Sequence, residues 1–174
     1  MKVHKQNDPL DTLGAVYEKI YEYIAVDFHQ LKEKSSPEIN KLISNAKQKV
    51  IQLEAVSEHE AAQLTEWLKR DMDDLASYLT ETQNELKDWL GFETALLENA
   101  VLDLLLKTAD STTVELLKLK EEALQPYTYR TGEITIAGTL ICDNCGDKLH
   151  FYKAGKIPPC PKCHKVVYHR EWLS

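Results

Sequence analysis

Apolar residues recur every three or four positions over most of this chain. Leu10, Leu13, Tyr17, Ile20, Ile24, Phe28 and Leu31 make one stripe, and Ile39, Leu42, Ile43, Ala46, Val50 and Leu53 a second. Ala61, Leu64, Leu68, Leu75 and Leu79 make a third. Leu86, Leu90, Leu97, Val101, Leu104 and Leu105 follow, then Leu116, Leu117, Leu119 and Leu124. That step is the period of an amphipathic α-helix with one buried face. Several stripes run near a heptad, which predicts long antiparallel, coiled-coil-like helices packed as a hairpin or bundle. A helix of about 25 residues is about 38 Å long, so an elongated body is expected.

The punctuation agrees. Asp8-Pro9 and Ser35-Ser36-Pro37-Glu38 each read as a cap followed by proline at the first helical position. Ser35 with Glu38, and Ser57 with Glu60, have capping-box spacing, and Thr112 with Glu115 is a weaker version. Gly91 and the polar run from Thr80 to Asp88 predict a break or kink.

Around Gln125-Pro126-Tyr127 the pattern changes. Residues 133–141 alternate and are β-branched, which predicts a strand. Leu149 to Lys153 and Val166 to Arg170 predict two more. The boundary falls between Tyr129 and Gly132. The fold class is therefore mainly α: a long-helix hairpin or bundle over 8–126, then a small all-β unit over 132–174. The helices are expected to hold their core on their own, and the ribbon only with its metal.

Charge follows the same division. The net charge is −7, but from Thr131 onward six Lys/Arg face four acids, which is formally +2 and leaves −9 on the first 130 residues. The start, MKVHKQNDPL, lacks the apolar core of a signal peptide. The most apolar run, Ala95 to Leu106, holds Glu98 and Asp103 and is shorter than the ~20 residues a bilayer needs. A soluble, cytoplasmic protein without a membrane partner is expected, and cytosolic cysteines stay reduced.

The four cysteines carry the chemistry. Cys142-Asp-Asn-Cys145 and Cys160-Pro-Lys-Cys163 are two CxxC turns on strand-flanked segments. Each turn aims two sulfurs at one point, and two such turns make the tetrahedral thiolate cage that suits one structural Zn²⁺. Gly146 lets backbone N–H groups turn toward sulfur, and Pro161 stiffens the second turn. A redox dithiol or an iron–sulfur centre are the competing readings. A catalytic zinc would need an open coordination position, which four thiolates do not leave. His150, His164 and His169 lie near in sequence and read as surface or supporting residues rather than spare ligands.

Other residues carry less. Asp71, Asp73 and Asp74 with Glu66 read as a solvated helix face, since loops rather than helices usually supply calcium ligands. Tyr17, Tyr21 and Tyr23 read as packing residues. Trp67 and Trp89 are ambiguous, and Trp172 is expected to be exposed or docked on the β unit. No phosphate loop, nucleophile elbow or acid/base pair stands out.

From Gly132-Glu133 through Gly138-Thr139-Leu140-Ile141 and the first CxxC, then Leu149-His150-Phe151-Tyr152 and Pro159 to Cys163, the chain resembles the YbeL-type zinc-ribbon proteins of Gram-negative bacteria. Over the helices the likeness is architectural only. His164 departs from it, standing where a glycine is usual. The resemblance implies a cytoplasmic bacterial protein and implies no activity. The expectation is a non-enzymatic adaptor, with helices that dock or form a homodimer and a ribbon that contacts a protein partner. The alternatives are a nucleic-acid-binding or transcription-related regulator, and a thiol redox or zinc-responsive protein.

Overall fold

The computed structural model describes residues 11–28, 30, 36–53, 56–82, 85–108 and 128–170. The caps at Asp8, Ser35 and Thr112, the stripe from Leu116 to Leu124, and Trp172 lie outside the described residues.

Three long helices come first: α1 (Asp11–Phe28), α2 (Ser36–Leu53) and α3 (Glu58–Thr82). Each packs against the other two. The α1 stripe is buried from Val16 to Phe28, and α2 buries Ile39, Leu42, Ile43, Ala46 and Val50. Leu53, expected in the second stripe, is 67% exposed at the end of α2. The capping box of α3 forms as spaced. The Glu60 N–H donates to Ser57 Oγ at 3.1 Å, and the Ser57 N–H reaches back to Glu60 Oε2 at 3.4 Å.

The stripe from Leu86 to Leu105 is not one helix. It divides into α4 (Leu86–Leu90), a 3₁₀ turn (Thr94–Leu96) and α5 (Asn99–Thr108). Gly91 ends α4 in the left-handed region, at φ 77°, with its N–H on the Lys87 carbonyl. Glu85 and Asp88 form a second capping box at the start of that short helix. α5 returns against α1.

Among the described residues six short strands follow: β1 (Tyr129–Arg130), β2 (Ile134–Thr135), β3 (Gly138–Cys142), β4 (Lys148–Phe151), β5 (Gly155–Lys156) and β6 (Val167–Arg170). An antiparallel sheet runs β1-β6-β3-β4, and β2 pairs with β5 apart from it. The single strand expected over 133–141 is thus two, in different sheets. The break has a tertiary cause. The Ile136 N–H donates to Asp71 Oδ2 at 2.9 Å, and Ile136 and Ala137 are buried among the helices.

The main core therefore draws on both halves of the chain. Ile134, Ile136, Ala137 and Ala154 share it with α1 to α5. A smaller core lies inside the β part, built from Tyr129, Leu140, Cys142, Ile157, Cys160 and Tyr168. Gly14 on α1 lets the helix approach the β4–β5 turn, since a Cβ there would sit 2.8 Å from the Ala154 carbonyl oxygen. One turn on, Glu18 Oε1 accepts from the Ala154 N–H at 2.9 Å.

Candidate metal centre

Strand β3 delivers Cys142 and β6 pairs beside it, with Cys142 opposite Tyr168 and Leu140 opposite Arg170. The two CxxC turns then close on each other with matched geometry. Cys142 and Cys160 donate their N–H groups to the carbonyls of Asp147 and Lys165, both at 2.9 Å. The Gly146 and His164 N–H groups return to the carbonyls of Cys142 and Cys160, at 2.9 and 2.8 Å. Both turns need a left-handed residue at that position: Gly146 has φ 75° and His164 φ 63°. The sequence departure at His164 thus keeps the turn and puts a side chain where glycine carries no steric cost.

All four sulfurs lie within 4.8 Å of one another. Cys142 Sγ is 3.5 Å from Cys163 Sγ, and Cys145 Sγ is 3.6 Å from Cys160 Sγ. A tetrahedron with Zn–S near 2.3 Å has edges of about 3.8 Å, so the cage fits Zn²⁺ with little adjustment. The Asp147 N–H donates to Cys145 and the Lys165 N–H to Cys163, the supporting bonds that thiolate ligands use. The thiols themselves conflict. The Lys165 N–H helps draw Cys163 down to about 6. At Cys145 the Asp147 N–H is outweighed by burial and the neighbouring sulfurs, and the thiol is pushed up to about 12. A bound dication stabilises four thiolates at once and removes that conflict. The donor set therefore fits one structural zinc site, which Cys142, Cys145, Cys160 and Cys163 would hold.

None of the three neighbouring histidines joins the sulfurs. His150 is exposed, with Nδ1 2.9 Å from Thr139 Oγ1. His169 Nδ1 meets Asp143 Oδ1 at 2.5 Å, and His164 is exposed.

The acidic stretch of α3 is where the structure corrects the sequence reading. Asp71, Asp73 and Asp74 are 1%, 7% and 0% exposed, so they form no solvated face. Asp71 accepts from Tyr17 at 2.5 Å, from the Ile136 N–H and from Arg70 Nε at 3.1 Å. Asp74 accepts from the Tyr129 hydroxyl and from Trp89 Nε1, the latter at 3.3 Å, and lies 3.8 Å from Arg170 Nε. Arg170 is itself wholly buried. Its guanidinium stacks 4.3 Å from the Trp89 ring and 4.8 Å from Tyr129, and Nη2 donates to Thr135 Oγ1 at 3.0 Å. Arg70 completes the cluster, pairing with Glu133, donating to the Ile134 carbonyl at 3.0 Å and lying 4.2 Å from the Tyr129 ring.

Asp71 and Asp74 are matched in kind: each has a guanidinium and a phenol. Burial, and then the adjacent aspartates, hold Tyr17 and Tyr129 well above the usual phenol range, so both remain donors. Burial works against the charge on Arg170, but Tyr129, Asp74 and Asp71 outweigh it and raise its pKa. One signal did point here. The third stripe steps from Leu68 to Leu75, and the core positions it skips are Asp71 and Met72.

Two paired CxxC turns on an antiparallel sheet define a zinc ribbon, here seated on a helical bundle. The chain belongs to the zinc-ribbon containing domain family, whose profile matches residues 26–172. It is 24% identical over 133 residues to the uncharacterized protein YbeL of Escherichia coli K12, covering 76% of this chain and 82% of that one. YbeL of E. coli O157:H7 matches to the same extent. No solved structure matches. The family match reaches back through α2 and α3, so the helices belong to the shared pattern together with the ribbon. Among the described residues no helix is long and apolar enough to cross a membrane.

Proposed function

We propose that this chain is a cytoplasmic, non-enzymatic interaction protein whose ribbon presents a surface to a partner protein and whose helices support docking or homodimerisation. The observation that carries this reading is the closed cage: four protein sulfurs fill a tetrahedral shell and leave no position for a substrate. Leu53, Leu96 and Leu106 are each more than half exposed, which supports self-association of the helical part.

A second reading, nucleic-acid binding, is favoured by Lys148, Lys156, Lys162 and Lys165, all exposed on the ribbon. Opposing it are the −9 carried by the first 130 residues and the net −2 of a zinc with four thiolates. Fluorescence anisotropy with labelled duplex and single strands across a salt series separates the two. No binding is expected at about 150 mM salt. Micromolar binding with a steep salt slope replaces the adaptor reading with the nucleic-acid one. Sedimentation of the zinc-loaded chain tests the dimer, and a monomer throughout the micromolar range removes it.

A further inference from the structure

The metal cage and the buried carboxylates of α3 lie at opposite ends of the same two strands. β3 runs from Gly138, against which the Arg170 guanidinium packs, to the ligand Cys142. β6 begins four residues after the ligand Cys163 and ends at Arg170. Among the described residues β1, which carries Tyr129, is paired only to β6. Thr139, between the two ends, donates its hydroxyl to the Leu90 carbonyl at 2.6 Å.

We infer that zinc in the ribbon locks the packing of the helical body, through the cluster of Asp71 and Asp74 with Arg170, Tyr129 and the Ile136 N–H. The inference holds whichever partner the ribbon serves.

The argument begins with the small core of the ribbon. Of its six buried residues, Cys142 and Cys160 are metal ligands. A core of that size does not hold without its metal, because binding energy and folding energy are the same quantity there. When the CxxC turns come apart, β6 loses its register on β3, and Arg170, Tyr129 and Ile136 leave α3 together. Asp71 and Asp74, 1% and 0% exposed in the intact structure, then lose the groups that come from the ribbon. A carboxylate in that position takes water or a proton, and either loosens the contact between α3 and α1 that runs through Tyr17 and Asp71. The lock also works in reverse, because coupling between two sites is reciprocal: weakening the carboxylate end must weaken zinc binding. On this inference the helical body and the ribbon make one metal-dependent assembly, in which the helices do not keep their full packing once the metal is lost.

Two measurements test this on the full-length, zinc-loaded chain. In the first, a chelator is titrated in and amide hydrogen exchange is followed by mass spectrometry. Protection over residues 64–78 of α3 is expected to fall in step with that over 138–151 of the ribbon, and to return when zinc is added back. Unchanged protection in α3 while the ribbon exchanges freely overturns the inference.

The second measures zinc affinity by competition with a coloured chelator. Asp74→Asn is expected to weaken binding about fivefold or more. Glu66→Gln, at an exposed position of the same helix, is expected to leave it unchanged. If Asp74→Asn does not fold with zinc present, Thr135→Val removes one Arg170 acceptor more gently and is expected to shift affinity in the same direction. Unchanged affinity in whichever of these variants folds also overturns the lock.

Discussion

Arg170, the last residue of β6, and Asp74, in the middle of α3, are both 0% exposed, with Arg170 Nε 3.8 Å from Asp74 Oδ2. Such a pair contributes little net stability compared with apolar residues of the same size, yet removing one member leaves a bare charge inside the protein. Arg170→Met is therefore expected to cost about 3–5 kcal/mol. Asp74→Leu on its own strands the guanidinium and costs a similar amount. The double variant should recover much of the loss. Guanidinium unfolding of the zinc-loaded proteins reads the cycle, and additive losses would show that the two residues do not act as a pair.

Purified chain should hold one Zn²⁺, measured by elemental analysis. Cys142→Ser and Cys163→Ser each remove a ligand from a shell that has no substitute, since His150, His164 and His169 lie outside it. Both variants should lose the metal. Iron in place of zinc, or full zinc retention by Cys163→Ser, would show that these four sulfurs are not a structural zinc cage.

His164 holds φ 63°, a backbone conformation that costs an L-residue about 1 kcal/mol and glycine almost nothing. His164→Gly should therefore raise the melting temperature of the zinc-loaded protein and slow metal loss to a chelator. The matched turn supplies the opposite experiment. Gly146→Ala has no atoms within 4 Å to clash with, so its cost should be purely the backbone term, again about 1 kcal/mol.

Gly14 tests the contact between α1 and the ribbon. Inside a helix, Gly→Ala ordinarily gains about 1 kcal/mol. Here the new methyl would lie 2.8 Å from the Ala154 carbonyl oxygen, a backbone atom that cannot rotate away. The overpacking cost of about 1–3 kcal/mol is expected to win, giving a net loss. A stability gain in Gly14→Ala would mean that the helix and the β4–β5 turn are not closely held.

The parts of this fold that were legible in the sequence are those with local causes. The cysteine turns needed only their own spacing, and α1 only its stripe. The capping box at Ser57 and Glu60 is likewise written in four residues. Contacts between distant segments decided the rest. Ile134 to Ile141 has the alternation of one strand, but Asp71, more than sixty residues earlier, takes the Ile136 N–H and divides it in two. β1 and β5 are two residues each, too short to show a period. Arg170 reads as one more basic residue of the ribbon, and nothing near it in sequence announces the carboxylate, indole and phenol it meets. Asp71 and Asp74 read as solvent-facing because carboxylates usually are, and here each is met by partners from the far end of the chain.

Residues 71–78 of α3 are buried on every side, eight consecutive positions that cover about two helical turns. Most helices in a protein of this size have an outside, where exchanges of amino acid pass almost unnoticed, and tolerance to substitution rises and falls with the turn. This stretch has none. In a scan of every residue against every replacement, tolerance should follow the helical period along α2 and the first turns of α3, then flatten to a continuous low plateau from Asp71 to Tyr78. For the same reason these two turns offer no surface to a partner. A protein that grips this chain by its helices must do so elsewhere, and the outward side of α2, with Asn40, Lys41, Ser44, Asn45 and Gln48, remains open for it.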